Sequence, residues 1–392
     1  FLQIFNLDPI SWSGSAGIFS FYGNSNFAGT AYSIFFFLSV ANFYFDKTSA
    51  KRKLILFLII SNLICVYFTN ARQSLLSIGF CLVILIGFLL NNWKKKALYL
   101  YICLIIPITL VSIFGIFNFG PFSQFLYKDS IRVRIFYWKA AFGMFKDHPL
   151  VGVGLDRYGA YFKEYRDSLY PLSYGWDLTS TNAHNVPLQF FSTSGLFSGV
   201  FYCVIVFFIF LLLLRRFSSI SKEKRPVVFS LFLAWACYQF QSLFTVDNIA
   251  ISIWNWVLMG ILVGLLTEKD NIDKIPKLKN NISLLSGLVA TTVTIPSIFL
   301  GFNLNKAESQ VFKLMSTFSP NNPSNETSFT DLAQDTLNIP FIDPTYQTLI
   351  GGYLIDYKKD ELGKNVIEKV LKDDVRNLQV LNALSIYYEN RK

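Results

Sequence analysis

The stretch TNARQSLLSIGFCLVILIGFLLNNWKKK, residues 69–96, decides the fold. Residues 74–90 within it hold no Lys, Arg, Asp or Glu. A helix needs roughly 17–25 such residues, rising about 1.5 Å each, to cross the hydrocarbon of a bilayer. No water is present there to satisfy the backbone, so the run must form a helix. Its two ends differ: Arg72 stands alone before it, and Lys94, Lys95 and Lys96 follow it. Basic residues collect on the cytoplasmic side of spanning helices, which puts the lysines inside and Arg72 outside.

Working outward, eight stretches read as spans: 27–45, 54–69, 74–90, 97–117, 195–214, 227–244, 250–266 and 282–304. The loops 46–53, 91–96, 215–226 and 267–281 hold 4, 3, 5 and 4 basic residues. The short connections 70–73 and 245–249 hold Arg72 and none. Every loop alternates, so the reading is an all-α integral membrane protein of about eight transmembrane helices, with the long loop 118–194 and residues after 304 on the external side. Composition agrees. The chain is 53% apolar and only 15% charged, where a soluble domain carries about 25%, and its mean hydropathy is +0.41. The net charge of +10 follows from this topology, so no nucleic-acid partner is implied. All five cysteines lie in apolar runs, and no spacing suggests zinc. The chain opens at Phe1 and ends in a helical pattern, so it reads as a fragment.

The loop 118–194 is too long and too aromatic to be a mere connection, and it holds both histidines. Within it, 131–146 has the period of an amphipathic helix. Arg132, Lys139 and Lys146 form a stripe suited to solvent or lipid headgroups. Arg134 falls about 200° from Arg132, on the face of Trp138, Ala141 and Phe145, where a guanidinium needs an anion or an aromatic partner. Arg72, alone at the outer surface, either snorkels to lipid phosphate or reaches a phosphate of the substrate. His184 in TNAHN caps a helix or serves as a base near neutral pH. His148 in KDHPLVGVG reads as part of a turn. Ionisable side chains are nearly absent from the spans, which argues against an ion-coupled transporter.

Four segments resemble the O-antigen ligase and polymerase family of bacterial envelope glycan assembly: YGNSNFAG (22–29), TNARQSLL (69–76), RIFYWKAAFGMFKDHPLVGVGLDRYGAYF (134–162) and NAHNVPLQFFSTSGLFSG (182–199). In the last, a glycine follows the histidine by eleven residues. Some ligases carry a second histidine where this chain has Asn182, which leaves ligase and polymerase both open. The resemblance implies a glycosyltransferase C-type fold in the bacterial inner membrane, and an inverting, metal-independent transfer of a glycan from undecaprenyl diphosphate to an acceptor hydroxyl of a glycan, lipid or protein. It assigns His184 as the base and Arg134 and Arg72 to the diphosphate, with Arg132, Arg157 and Asn185 as substrate-binding helpers and no cofactor. The alternatives are a protein O-oligosaccharyltransferase of the same family, a polytopic lipid or solute transporter, and a non-catalytic scaffold.

The domain reading is a membrane catalytic domain over 1–304, a linker over 305–343 and a helical external tail over 344–392. Helical periodicity runs through 344–357, 361–372 and 376–390, and the last pair resembles a tetratricopeptide unit, a docking module for envelope proteins.

Overall fold

The computed structural model describes residues 2–8, 17–45, 48–176, 178–267, 278–318, 326–340, 342–373, 375, 377–389 and 391. Residues 319–325 and 341 of the expected linker 305–343 lie outside them. The described residues form helices and no strand, as an all-α integral membrane protein requires.

Each expected span is a helix. The first four are α1 (Ser25–Phe45), α2 (Ser49–Phe68), α3 (Arg72–Trp93) and α4 (Lys95–Ile116). The long loop folds into α5 (Ser123–Leu126), α6 (Asp129–Asp147), α7 (Tyr158–Tyr165) and α8 (Leu169–Tyr174). Then come α9 (Val186–Arg216), α10 (Arg225–Ser242) and α11 (Ile249–Thr267). Among the described residues α1, α3, α4, α9 and α11 are long and apolar enough to cross a membrane. The expected spans at α2 and α10 are of similar length; α2 opens with Lys51, Arg52 and Lys53, and α10 carries Gln239 and Gln241.

By contacts the chain divides into Phe1–Glu268 and Lys269–Lys392. In the first unit α10 is the axis. Twelve of its residues are buried, from Val228 to Ser242, and it packs on α1, α3 and α11. Small residues permit the closest approach: a Cβ on Gly29 of α1 would stand 2.5 Å from Ser74 Oγ of α3, and such contacts drive association where lipid offers no hydrophobic gain. The loop helices have a core of their own, made by Phe136, Ala140, Ala141, Met144, Tyr158, Phe162 and Tyr170.

The second unit holds α12 (Leu278–Thr317), α13 (Glu326–Leu337), α14 (Pro344–Asp356), α15 (Asp360–Asp373) and α16 (Leu378–Glu389). The segment 305–343 thus contains the end of α12 and all of α13. Val311, Leu314, Phe329, Ile350 and Leu354 share one core. α14 and α15 touch at backbone level, since a Cβ on Gly363 would meet Gly351 O at 2.4 Å. α16 packs on α15 through Ile367, Val370, Val380 and Leu384.

Candidate functional site

The loop 118–185 is fastened to the first unit at two places. One is the turn before α9. Ser180, Asn182, His184 and Asn185 each supply a polar group that fixes backbone there. Asn182 Oδ1 accepts from His184 N at 2.9 Å, Gln189 Oε1 accepts from Ala183 N at 2.8 Å, and Asn185 Oδ1 caps α9 by accepting from Leu188 N at 2.9 Å. These bonds hold His184 at φ 51°, a left-handed conformation that costs an L-residue about 1 kcal/mol or more unless its surroundings over-determine it. The imidazole stacks on Tyr137 of α6, with ring centroids 5.3 Å apart.

Arg134 reaches the same place from α6. The helix runs two residues beyond the expected 131–146 toward Asp129 and one toward Asp147; its buried side is Phe136, Ala140, Ala141 and Met144, while Trp138 and Phe145 of the Arg134 face are only half-buried. The Arg134 guanidinium is half-buried; Nε donates to Phe244 O at 2.9 Å and Nη1 to Ser130 O at 2.6 Å. Burial lowers its pKa. Burial first, and then the charge of Arg134, depress the His184 imidazole from 6.5 to about 4. An imidazole in this state is neutral at pH 7, with a lone pair available beside a cation.

The end of α10 ties these groups to the spans. Asn185 Nδ2 donates to Leu243 O at 3.1 Å, next to the carbonyl that receives Arg134. Two residues earlier, Gln241 Oε1 accepts from Thr30 of α1 and from Ser74 Oγ of α3 at 3.3 Å, and its Nε2 donates to Ser77 Oγ at 2.9 Å. Arg72 opens α3 two residues before Ser74 and is exposed. Among the described residues no contact joins Arg72 to Arg134 or His184. Two buried donors near them in sequence have no acceptor among the described residues, Gln73 Nε2 beside Arg72 and Trp138 Nε1 one turn from Arg134.

The helpers divide. Asn185 has its amide committed to the α9 cap and to Leu243. Arg132 points the other way around α6, donating to Ser173 Oγ at 2.8 Å and lying over the Tyr174 ring. Arg157 lies over Tyr161, whose ring meets His148, so it belongs to a different corner of the loop. Of the expected basic stripe, Lys139 forms an ion pair with Asp167 at 2.8 Å.

Sequence reasoning passed over Asp247. It sits in the turn between α10 and α11, its carboxylate accepts from Tyr238 Oη at 2.9 Å, and burial raises its pKa. The signal was present: it is the one acid in a short connection on the Arg72 side of the bundle. Counting only basic residues hid it. Among the described residues no three His, Cys, Asp or Glu side chains gather as metal ligands would.

The second fastening explains a motif glycine. α9 is kinked at Gly195, which has φ 79° and ψ −173°. Residues 149–154 lie in the kink. Leu196 N donates to Pro149 O at 2.7 Å, Val153 N to Ser192 O at 2.9 Å and Gly154 N to Thr193 O at 3.0 Å. A Cβ on Gly195 would stand 2.1 Å from Leu150 O, and one on Gly152 2.4 Å from the Thr193 carbonyl carbon. Only glycine combines that φ with that approach.

A multi-pass membrane protein that collects its buried imidazole and guanidinium at one end of a helix bundle is the class the fold defines. Residues 54–203 match the O-antigen ligase family, a stretch that contains Arg72, Arg134, His184 and Gly195. The resemblance read from the motifs therefore stands, and the general activity it carries is glycosyl transfer of the ligase and polymerase type. No curated protein matches the chain.

Proposed function

We propose that the protein transfers a glycan from undecaprenyl diphosphate to an acceptor hydroxyl at the outer face of the inner membrane, as an O-antigen ligase or a surface polysaccharide polymerase. The observation that carries this reading is the half-buried His184 imidazole, on the turn before α9, held beside the half-buried Arg134 guanidinium of α6. In the reaction, His184 takes the proton of the acceptor hydroxyl as its oxygen attacks the anomeric carbon. The bond from that carbon to the diphosphate oxygen breaks, and its electron pair leaves with the lipid diphosphate. Direct attack inverts the anomeric centre. Negative charge grows on the leaving group, where Arg134 and Arg72 bind phosphate oxygens in the two-point manner of a guanidinium. The orphaned Trp138 and Gln73 donors, one beside each arginine in sequence, favour oxygen-rich ligand groups there, since buried donors normally have acceptors. Asp247, whose carboxyl pKa is raised by burial, lies in the short turn on the same side.

A diphosphate beside Arg134 offsets its charge and lets the imidazole pKa rise. The base therefore strengthens when the donor arrives. The acid limb of kcat/KM then lies near pH 4, and that of kcat lies higher, because the two report free and donor-bound enzyme.

The test is transfer from a synthetic undecaprenyl-diphosphate glycan by the purified chain in vesicles. His184→Ala is expected to lower the rate by about 10²–10⁴-fold, with donor binding retained and with EDTA having no effect on the parent chain. Full activity of His184→Ala removes the base assignment, and inhibition by EDTA removes the metal-free one. The choice of acceptor follows from supplying a lipid, a glycan or a protein in turn. α14, α15 and α16 form the tail through which envelope proteins would dock.

A further inference from the structure

The turn in the α9 kink presents its side chains outward. Leu150 is 60% and Val151 76% exposed, although their backbone is fixed against Ser192–Leu196 by the three hydrogen bonds given above. Two bulky apolar side chains are thus held open on a rigid support. Their depth follows from α9. Arg215 and Arg216 end this helix and belong at a headgroup layer. Twenty residues earlier, at about 1.5 Å each, the helix has crossed about 30 Å, the thickness of the hydrocarbon. That position is Gly195, so Leu150 and Val151 lie at the opposite boundary. The surface they extend is already lipid-facing: Phe197, Val200, Phe201 and Val204 of α9 are all exposed. Lys146, at the end of α6, is exposed nearby in sequence, as a side chain reaching headgroups would be.

We propose that the 149–152 turn is a membrane wedge: Leu150 and Val151 insert into the leaflet on the loop side, and the occupant of this apolar surface is lipid rather than a protein. The wedge fixes the height of α6, and with it the loop core, relative to the bilayer. Leu172 of α8 and Trp176 just beyond it are comparably exposed, but α8 packs on loop residues such as Phe136 and continues no spanning surface.

The experiment uses the purified full chain, one copy per lipid nanodisc, and a water-soluble maleimide. Val151→Cys is compared with Lys163→Cys on exposed α7, and labelling of the parent chain, with its own cysteines, is subtracted. Val151→Cys is expected to react more than about tenfold more slowly than Lys163→Cys, and equally fast after SDS denaturation, because an inserted thiol is out of water and neutral. Equal rates in the nanodisc overturn the proposal. Protection seen in native membranes but lost in the nanodisc also overturns it, since the cover is then a protein. The measurement involves no transfer chemistry, so its outcome is separable from that of the proposed function.

Discussion

α4 and α10 both cross the unit as single helices, and they are built on opposite plans. Among the described residues only Gly115 of α4 is buried, and α4 is tied to a neighbouring helix by Tyr101 Oη, which donates to Val83 O at 2.7 Å. α10 is the less apolar of the two and is buried along its length, with Gln241 bonded to α1 and α3 and its end accepting from Arg134 and Asn185. Hydropathy alone therefore ranks them backwards. The helix that suits lipid best is peripheral, while the helix that carries polar groups needs protein on every side to satisfy them. Function gathers at the end of the second kind.

The largest effect that separates the two comes from truncating one leucine in each. Leu233 on α10 is 1% exposed and Leu104 on α4 57%. Leu233→Ala should cost about 2–4 kcal/mol of unfolding free energy, because a cavity opens in a packed centre. Leu104→Ala exchanges only lipid contacts and should cost under about 1 kcal/mol. Reversible unfolding in mixed SDS micelles reads both. Equal losses would mean that α10 is not the axis of the bundle.

The polar ties give a smaller contrast. Gln241→Leu removes the donor to Ser77 and the side-chain acceptor shared by Ser74 and Thr30 in a buried cluster, so it should cost about 1–3 kcal/mol. Tyr101→Phe on α4 removes one bond at a partly exposed site and should cost under about 1 kcal/mol. Gln241→Leu should also slow transfer, since Gln241 ties the start of α3 to the end of α10 that carries the Phe244 carbonyl accepting from Arg134. A slow but fully stable Gln241→Leu would assign Gln241 to positioning alone.

The spans and the α6 helix were legible in the sequence because each rests on a local period. Arg134 stood out because its face is otherwise aromatic; that face is half-buried, and the structure sets Arg134 beside His184 but shows no contact from either to Arg72. Asp247 and the Gly195 kink were not legible in the same way. The Gly195 kink depends on a partner far along the chain, the inserted Pro149 and Leu150; Asp247 is visible as a lone acid, and what the sequence hides is its burial against Tyr238. The central place of α10 was hidden for a related reason. An apolar run reports that water is absent, and it says nothing about whether lipid or protein takes its place. The commitment of Asn185 to a helix cap was also out of reach, because a cap and a ligand use the same amide.

The smallest effect concerns acid and tests the turn rather than the bundle. His184 is held neutral, with its pKa lowered from 6.5 to about 4 by burial first and by Arg134 second. Between these values the unfolded chain carries a proton on this residue that the folded chain does not. Stability from this group is therefore complete above pH 6.5 and falls as the pH drops toward 4. At pH 5 the loss should be of order 1 kcal/mol, reduced where solvent reaches the ring. His184→Asn suits the comparison, because asparagine tolerates the left-handed φ and does not titrate. Thermal unfolding of the solubilised chain at pH 7 and pH 5 should show a steeper decline for the parent than for His184→Asn. Parallel declines would mean that the imidazole is solvated in the resting protein, and Arg134 would then need another reason to lie beside it.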